Sequence, residues 1–278
     1  MPLFGPPNIE KLKAKRNIKN LIKALDYADS PQIQRDAALA LCEIADPITV
    51  PLLMNFLSHS DPAVRASAAD ALGRLRASQA ISALEPLIED PDEGVRGKAI
   101  FSLARLGHSR AEDLLLSALQ DDSQANRLQA IQTLHALRSS KAIKPLVALL
   151  EEENEDIVTA SGRALYVMDE KLTLGELGVV MEKGSQRQRL HAIDVIGSFR
   201  KSEEAMDKLI QALKTDEDEL VRKAAARKMG IIGGQKAIDA LGDVSRTDPS
   251  EAVRELASDQ CKGLLWEQMS DMLKSGNL

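Results

Sequence analysis

The chain has 278 residues, 44% of them apolar but only 3% aromatic, and its 36 basic and 42 acidic residues leave a net charge of −6. Such a core is built from Leu, Ile, Val and Ala, the materials of packed helices, and the balanced charge excludes both a polybasic nucleic-acid coat and a long disordered acidic tail. No apolar run approaches the ~20 residues that span a bilayer, no secretory leader precedes the first amphipathic segment, and two cysteines, Cys42 and Cys261, cannot build a disulfide framework. A soluble, cytoplasmic protein is expected.

In chain order, Met1 to Pro7 ends in two adjacent prolines and reads as loosely held. Pro2 excludes myristoylation, which requires Gly there. Ile9 opens a basic amphipathic segment, with six basic residues and one acidic between Glu10 and Lys23. It reads as a cap over the first apolar face, with contact to an anionic surface as the alternative.

From residue 18 onward the chain repeats. Stepping 31 residues from Leu72 gives Leu41, Leu103, Leu134, Leu165 and Ile196; longer steps reach Met229 and Cys261. The Ala68 position gives Ala37, Ala99, Ala130, Ser161, Ala192, Ala225 and Ala257. Eight copies follow, each read as two helices. The first helix of a copy, A, carries apolar residues at i, i+3 and i+7, as in Val50, Leu53 and Leu57. The second, B, carries them at Val64, Ala68, Leu72 and Leu75, a helical period. Three residues before the Val64 position stand Ser30, Asp61, Asp92, Ser123, Asn154, Ser185, Asp218 and Ser250. All eight are good N-cap types, so this column predicts where each B helix begins.

The repeat is expected over 18–265, preceded by an extension and basic cap over 1–17 and followed by a helix end and tail over 266–278. Within Val253 to Lys274, the residues Leu264, Leu265, Trp266, Met269, Met272 and Leu273 form a dense apolar set. Trp266 is expected to pack as a cap, with a docking surface as the alternative. Cys42 and Cys261 read as small core residues.

Asp-Pro-x-Val-Arg-x-x-Ala-x-x-Ala-Leu-Gly, running from Asp61 to Gly73, resembles the HEAT repeat. The regular 31-residue form is similar to the subclass first noted in phycobilin lyase subunits. The opening Met-Pro-Leu-Phe-Gly-Pro-Pro-Asn, followed by a Lys-rich helix, resembles bacterial and archaeal HEAT-repeat proteins of unassigned function. The resemblance implies an all-α superhelix, an α-solenoid of eight helical hairpins, elongated and curved, with B helices on the concave side. It also implies a hydrogen-bonded ladder of the Asp61 and Arg65 type. Arg recurs at Arg96, Arg127, Arg189, Arg222 and Arg254, and is replaced at Gln34 and Val158.

Motifs for chemistry are scarce. No nucleophile elbow, dinucleotide-binding loop, Walker A or Cys-x-x-Cys occurs. Ser198-Phe199-Arg200-Lys201 matches a short Ser-x-x-Lys pattern only formally, because Phe199 falls in the core column of Leu75. None of His59, His108, His135 and His191 is followed by Glu, so the ligand motifs of HEAT-fold deoxyhypusine hydroxylases are missing. The acidic run Glu151 to Asp156 reads as a solvated turn. No metal, cofactor or catalytic residue is expected.

The surface face of the B helices is the remaining candidate. Two residues after the Val64 position stand Leu128 and Leu190; six after stand Phe101, Gln132 and Arg163; nine after, where small residues are usual, stand His135 and Tyr166. Aromatic and Arg side chains among apolar ones suit an interface core. The alternative is that Leu128 and Leu190 tuck into seams beside Asn126 and Gln188. The expectation is a non-catalytic scaffold or adaptor that binds a protein on this face, with neither nucleic acid nor membrane insertion. The alternatives are a lyase-like accessory subunit, and nucleic-acid or membrane-surface binding through the basic N-terminus.

Overall fold

The computed structural model describes residues 6–27, 29–106 and 109–275. Met1 to Gly5, the greater part of the proline-bearing N-terminus, and His108 lie outside them. Helix α1 (Ile9–Ala14) precedes eight pairs: α2/α3 (Ile18–Ala24, Pro31–Ile44), α4/α5 (Val50–Phe56, Pro62–Arg74), α6/α7 (Ile81–Leu84, Glu93–Leu106), α8/α9 (Ser109–Ser117, Gln124–Leu137), α10/α11 (Ile143–Ala148, Glu155–Tyr166), α12/α13 (Glu170–Lys183, Gln186–Ile196), α14/α15 (Glu203–Thr215, Glu219–Ile232) and α16/α17 (Gln235–Thr247, Glu251–Ser275). No strand occurs among the described residues. The fold is an all-α solenoid of helical hairpins. It falls into two compact units, Met1–Leu137 and Arg138–Leu278.

The B helices begin where their cap column places them. Ser30, Asp61, Asn154, Ser185 and Asp218 each accept an N–H of the first turn. Asp92, Ser123 and Ser250 do the same for the N–H groups of Val95, Asn126 and Val253. Each cap satisfies an orphan donor of the first turn and fixes the start of the helix.

In the first unit Ala37, Ala68, Ala99 and Ala130 are fully buried, as are Leu41, Leu72, Leu103 and Leu134. In the second, Ser161, Ala192, Ala225 and Ala257 are fully buried, with Leu165, Ile196 and Met229. The small column lets neighbouring B helices approach closely. The same constraint reaches Gly73, where an added Cβ would lie 2.8 Å from the Cα of Ser102. Cys261 departs from the core reading: it is only half-buried, its Sγ 3.6 Å from the Ile238 carbonyl. Cys42 is fully buried, and loss of solvent pushes its thiol pKa up to about 12.

The A helices vary with proline. Pro51, Pro86 and Pro145 fall in α4, just after α6 and in α10, the three shortest A helices besides α2, and α6 passes into a 3-10 turn over Glu85–Glu89. Proline removes a helical N–H and disfavours the α conformation of the residue before it. The proline-free α12, α14 and α16 run 14, 13 and 13 residues.

The ladder runs along the stack, as the resemblance implies, and Asp61 and Arg65 stand on different rungs of it. Asp61 caps α5 and accepts from Arg35. Arg65 instead grips Asp90, Arg96 grips Asp121, Arg189 pairs with Asp216, and Arg222 grips Asp248. Each arginine also donates through Nη1 to a carbonyl just ahead of its own helix, those of His59, Asp90, Gly184 and Asp216 respectively. Each acid in turn accepts the N–H two residues on. One arginine therefore ties its own interhelical turn to the turn of the next copy.

At the N-terminus Ile9 is buried and α1 packs on α3. Lys13 reaches Glu43 of α3 at 3.0 Å. At the other end α17 runs on unbroken through the 265/266 boundary. Trp266 is not a packed cap: it is 68% exposed, and Leu264, at 7%, is the last buried side chain among the described residues. Helical spacing explains the swap, because Leu264 continues the buried Val253–Ala257 side of α17, whereas Trp266 lies well off it.

Candidate interaction surface

Every residue at the second and sixth positions of the B-helix columns is at least partly exposed. Phe101, Leu128, Gln132 and His135 belong to the first unit; Arg163, Tyr166 and Leu190 belong to the second. Within α9, Leu128, Gln132 and His135 stand at i, i+4 and i+7 and so share one stripe. Gln132 is exposed and the other two half-buried.

On α7 the half-buried ring of Phe101 lies between two cations, the Lys98 ammonium at 5.9 Å and the Arg105 guanidinium at 5.6 Å from its centroid. The three stand at i−3, i and i+4, which brings their side chains together on one helix face. Phe101 lines a shallow depression of about 390 Å³ with Gly94, Gly97, Asn126 and Gln129. Two glycines on α7 open it. A Cβ at Gly97 would meet the Asn126 Oδ1 at 2.7 Å, and Asn126 donates to the Glu93 carbonyl at 3.2 Å.

In the second unit Tyr166 is 50% exposed, in a column where small residues are usual and His135 and Lys262 are the other large ones. Its ring packs on the buried Phe199, centroids 5.3 Å apart and planes tilted by 53°. The two rings border a groove of about 420 Å³ with Met168, Glu170, Ser198 and the exposed Arg200 and Lys201. Arg163, one turn ahead of Tyr166 on α11, is exposed. Leu190 on α13 is half-buried, and Gln188 beside it reaches the Val147 carbonyl at 3.4 Å. Asn126 and Gln188, which stand where valine is usual, thus bond to backbone of a preceding element. Leu128 and Leu190 divide between seam and surface.

Lys98, Arg105, Phe199, Arg200 and Lys201 are additions to the residues that the sequence singles out. The i−3 and i+4 spacing around Phe101 is a signal that identifies the first two. Phe199 hides in a core column, and only the fold shows its ring under Tyr166.

The other chemistry-bearing residues have structural work. His59 Nδ1 accepts the Asp61 N–H at 3.0 Å, and His191 Nδ1 lies 2.8 Å from the Leu150 carbonyl. Ser198 donates to the Asp194 carbonyl. In the acidic turn Glu151 accepts from Ser185 and Glu155 from Arg187. Among the described residues no group of three or more His, Cys, Asp or Glu is placed to hold a metal ion, and no helix is long and apolar enough to cross a membrane.

A family model for HEAT repeats matches residues 18–97, 81–165 and 177–259. No curated protein matches the chain. Among solved structures the chain is similar to an engineered protein (20% identity, 90% of this chain and 81% of that one, TM-score 0.46). It is also similar to human deoxyhypusine hydroxylase in complex with glycerol (18%, 92% and 98%, TM-score 0.38). A third is the complex of the two phycocyanin lyase proteins CpcE and CpcF from Nostoc sp. (20%, 79% and 96%, TM-score 0.43).

Proposed function

The chain belongs to the HEAT-repeat family, and we propose that it is a non-catalytic, cytoplasmic adaptor that holds a protein partner on the exposed face of its B helices. The observation that carries the reading is Tyr166. A large aromatic ring, half exposed, stands in a column where small residues are usual. Phe199 supports it from below, Arg163 is exposed three residues ahead of it, and the exposed Arg200 and Lys201 line the same groove. A rigid aromatic anchor beside arginine is the composition that interface centres favour. Phe101, between Lys98 and Arg105, gives the first unit a patch of the same character. Both patches are cationic around an aromatic centre, so the partner segment expected at each is apolar with acidic flanks.

The test is capture from native lysate with wild-type bait, followed by titration of the recovered partner against Tyr166→Glu and Phe101→Glu. Each variant should bind about 10- to 100-fold more weakly, the range of a hot spot, with unchanged helicity and at most a small drop in melting temperature. Undiminished affinity in both variants would place the partner elsewhere.

A further inference from the structure

Helix α17 ends on an apolar stripe that stays open to solvent. From Leu265 to Lys274 every side chain but Ser270 is exposed, so this end of the helix projects beyond the α16 packing. Leu265, Trp266, Met269, Met272 and Leu273 are 46%, 68%, 40%, 43% and 60% exposed. At 100° per residue all five fall within an arc of about 120°. Glu267, Asp271 and Lys274 fall on the opposite side. The face is thus amphipathic in its own right and distinct from the side of α17 that carries Val253, Ala257 and Leu264 into the core.

Two observations identify the occupant. The stripe is symmetric about Met269: Trp266 and Met272 lie three residues either side, Leu265 and Leu273 four. Two antiparallel copies related by a two-fold axis at Met269 therefore place Trp266 against Met272 and Leu265 against Leu273, apolar on apolar throughout, as an isologous contact requires. The stripe offers on the order of 500 Å² per copy, so a pair buries about 1,000 Å², the threshold of a specific interface.

We propose that the C-terminal end of α17 is a self-association helix that pairs two copies of the chain antiparallel across Met269. This goes beyond the partner surface on the other B helices and does not depend on it.

The full-length chain should sediment as a dimer at tens of micromolar. Trp266→Glu should shift it to monomer with unchanged helicity and melting, because no core contact is lost. Trp266 is the only tryptophan, so wild-type emission should move to shorter wavelength as concentration rises. In a Cys261→Ser background, Met269→Cys should join to itself with a short bismaleimide. Leu265→Cys should not, because antiparallel pairing separates the two copies of that residue by about 12 Å along the axis, yet it should join to Leu273→Cys when the two variants are mixed. A monomeric wild type, or a dimer unaffected by Trp266→Glu, overturns the proposal. Self-joining of Leu265→Cys overturns the antiparallel register.

Discussion

Arg65 donates to both carboxylate oxygens of Asp90, Nε to Oδ2 and Nη2 to Oδ1, each at 2.8 Å, across 25 residues of sequence. The pair is largely buried, with side-chain exposures of 13% and 8%. The two copies that lack the arginine also lack the acid. Gln34 stands 25 residues before His59, and Val158 stands 25 before Lys183. His59 keeps one of the acid's duties, accepting the Asp61 N–H as Asp90 accepts that of Asp92. Losing both partners leaves no buried charge unpaired, whereas losing one does.

A double-mutant cycle follows from this. Arg65→Gln or Asp90→His alone should cost about 2 kcal/mol, between the values for exposed and fully buried pairs. The double variant, which copies the Gln34–His59 arrangement, should cost less than the sum by about 1 kcal/mol. Urea denaturation of the four proteins measures the coupling, and strict additivity would show that the two groups act independently.

The ladder also sets the acid limb of stability. Burial is the largest single influence on the Asp90 and Asp121 carboxyls and works to raise their pKa values, but the hydrogen bonds from Arg65 and Arg96, the N–H groups of Asp92 and Ser123 and the arginine charges together hold both below the ordinary value of 3.8. A carboxylate with a depressed folded pKa contributes stability that is present above its unfolded pKa and lost as pH falls through its folded one. The melting temperature should therefore change little between pH 8 and pH 5 on account of these groups, and fall below about pH 4. Asp90→Asn with Asp121→Asn should lower stability at neutral pH and make the acid limb shallower, as thermal melts across the range would show.

Most of the fold is legible in the sequence because its signals are local and repeated. The cap column and the small Ala68 column each recur eight times, and both follow from geometry every copy must share. The A helices are less legible, since Pro86 ends one early and no apolar spacing reports that. Trp266 misleads because a dense apolar set near a solenoid end looks the same whether it closes the core or projects from it. The Asp61 and Arg65 columns imply a ladder along the stack but do not say which acid each arginine takes. The acid that Arg65 reaches is Asp90, one copy on, and only three-dimensional stacking makes that pairing visible.

Two glycines should respond oppositely to alanine. In a helix interior Gly→Ala ordinarily stabilises by about 0.5–1 kcal/mol. Gly175 in α12 faces open space, where an added Cβ would meet no atom within 4 Å, and should show that gain. At Gly73 the methyl would lie 2.7–2.8 Å from the Oγ, Cα and Cβ of Ser102. Ser102 is pinned there by its own bonds to the Ala69 and Lys98 carbonyls, both 2.7 Å. Relief requires α5 and α7 to separate, so Gly73→Ala should cost about 1–3 kcal/mol, the usual range for overpacking. Matched thermal melts separate the two outcomes, and a stabilised Gly73→Ala would mean the helices slide apart freely.

The Tyr166–Phe199 pair divides support from recognition. Phe199 is 7% exposed and Tyr166 50%, so the first is held by the second unit's interior and the second rests on it. Phe199→Ala removes a buried ring and should cost about 3 kcal/mol or more. Tyr166→Ala removes a half-exposed ring and one tilted aromatic contact, for about 1 kcal/mol. Binding should reverse that order. Tyr166→Ala should weaken the partner by tenfold or more while the protein stays folded, and Phe199→Leu, which keeps an apolar support of smaller volume, should retain most of the affinity. Melting curves and titrations on the same preparations read both quantities. If Phe199→Leu weakens binding more than Tyr166→Ala, then Phe199 is itself the contact and the exposed tyrosine only covers it.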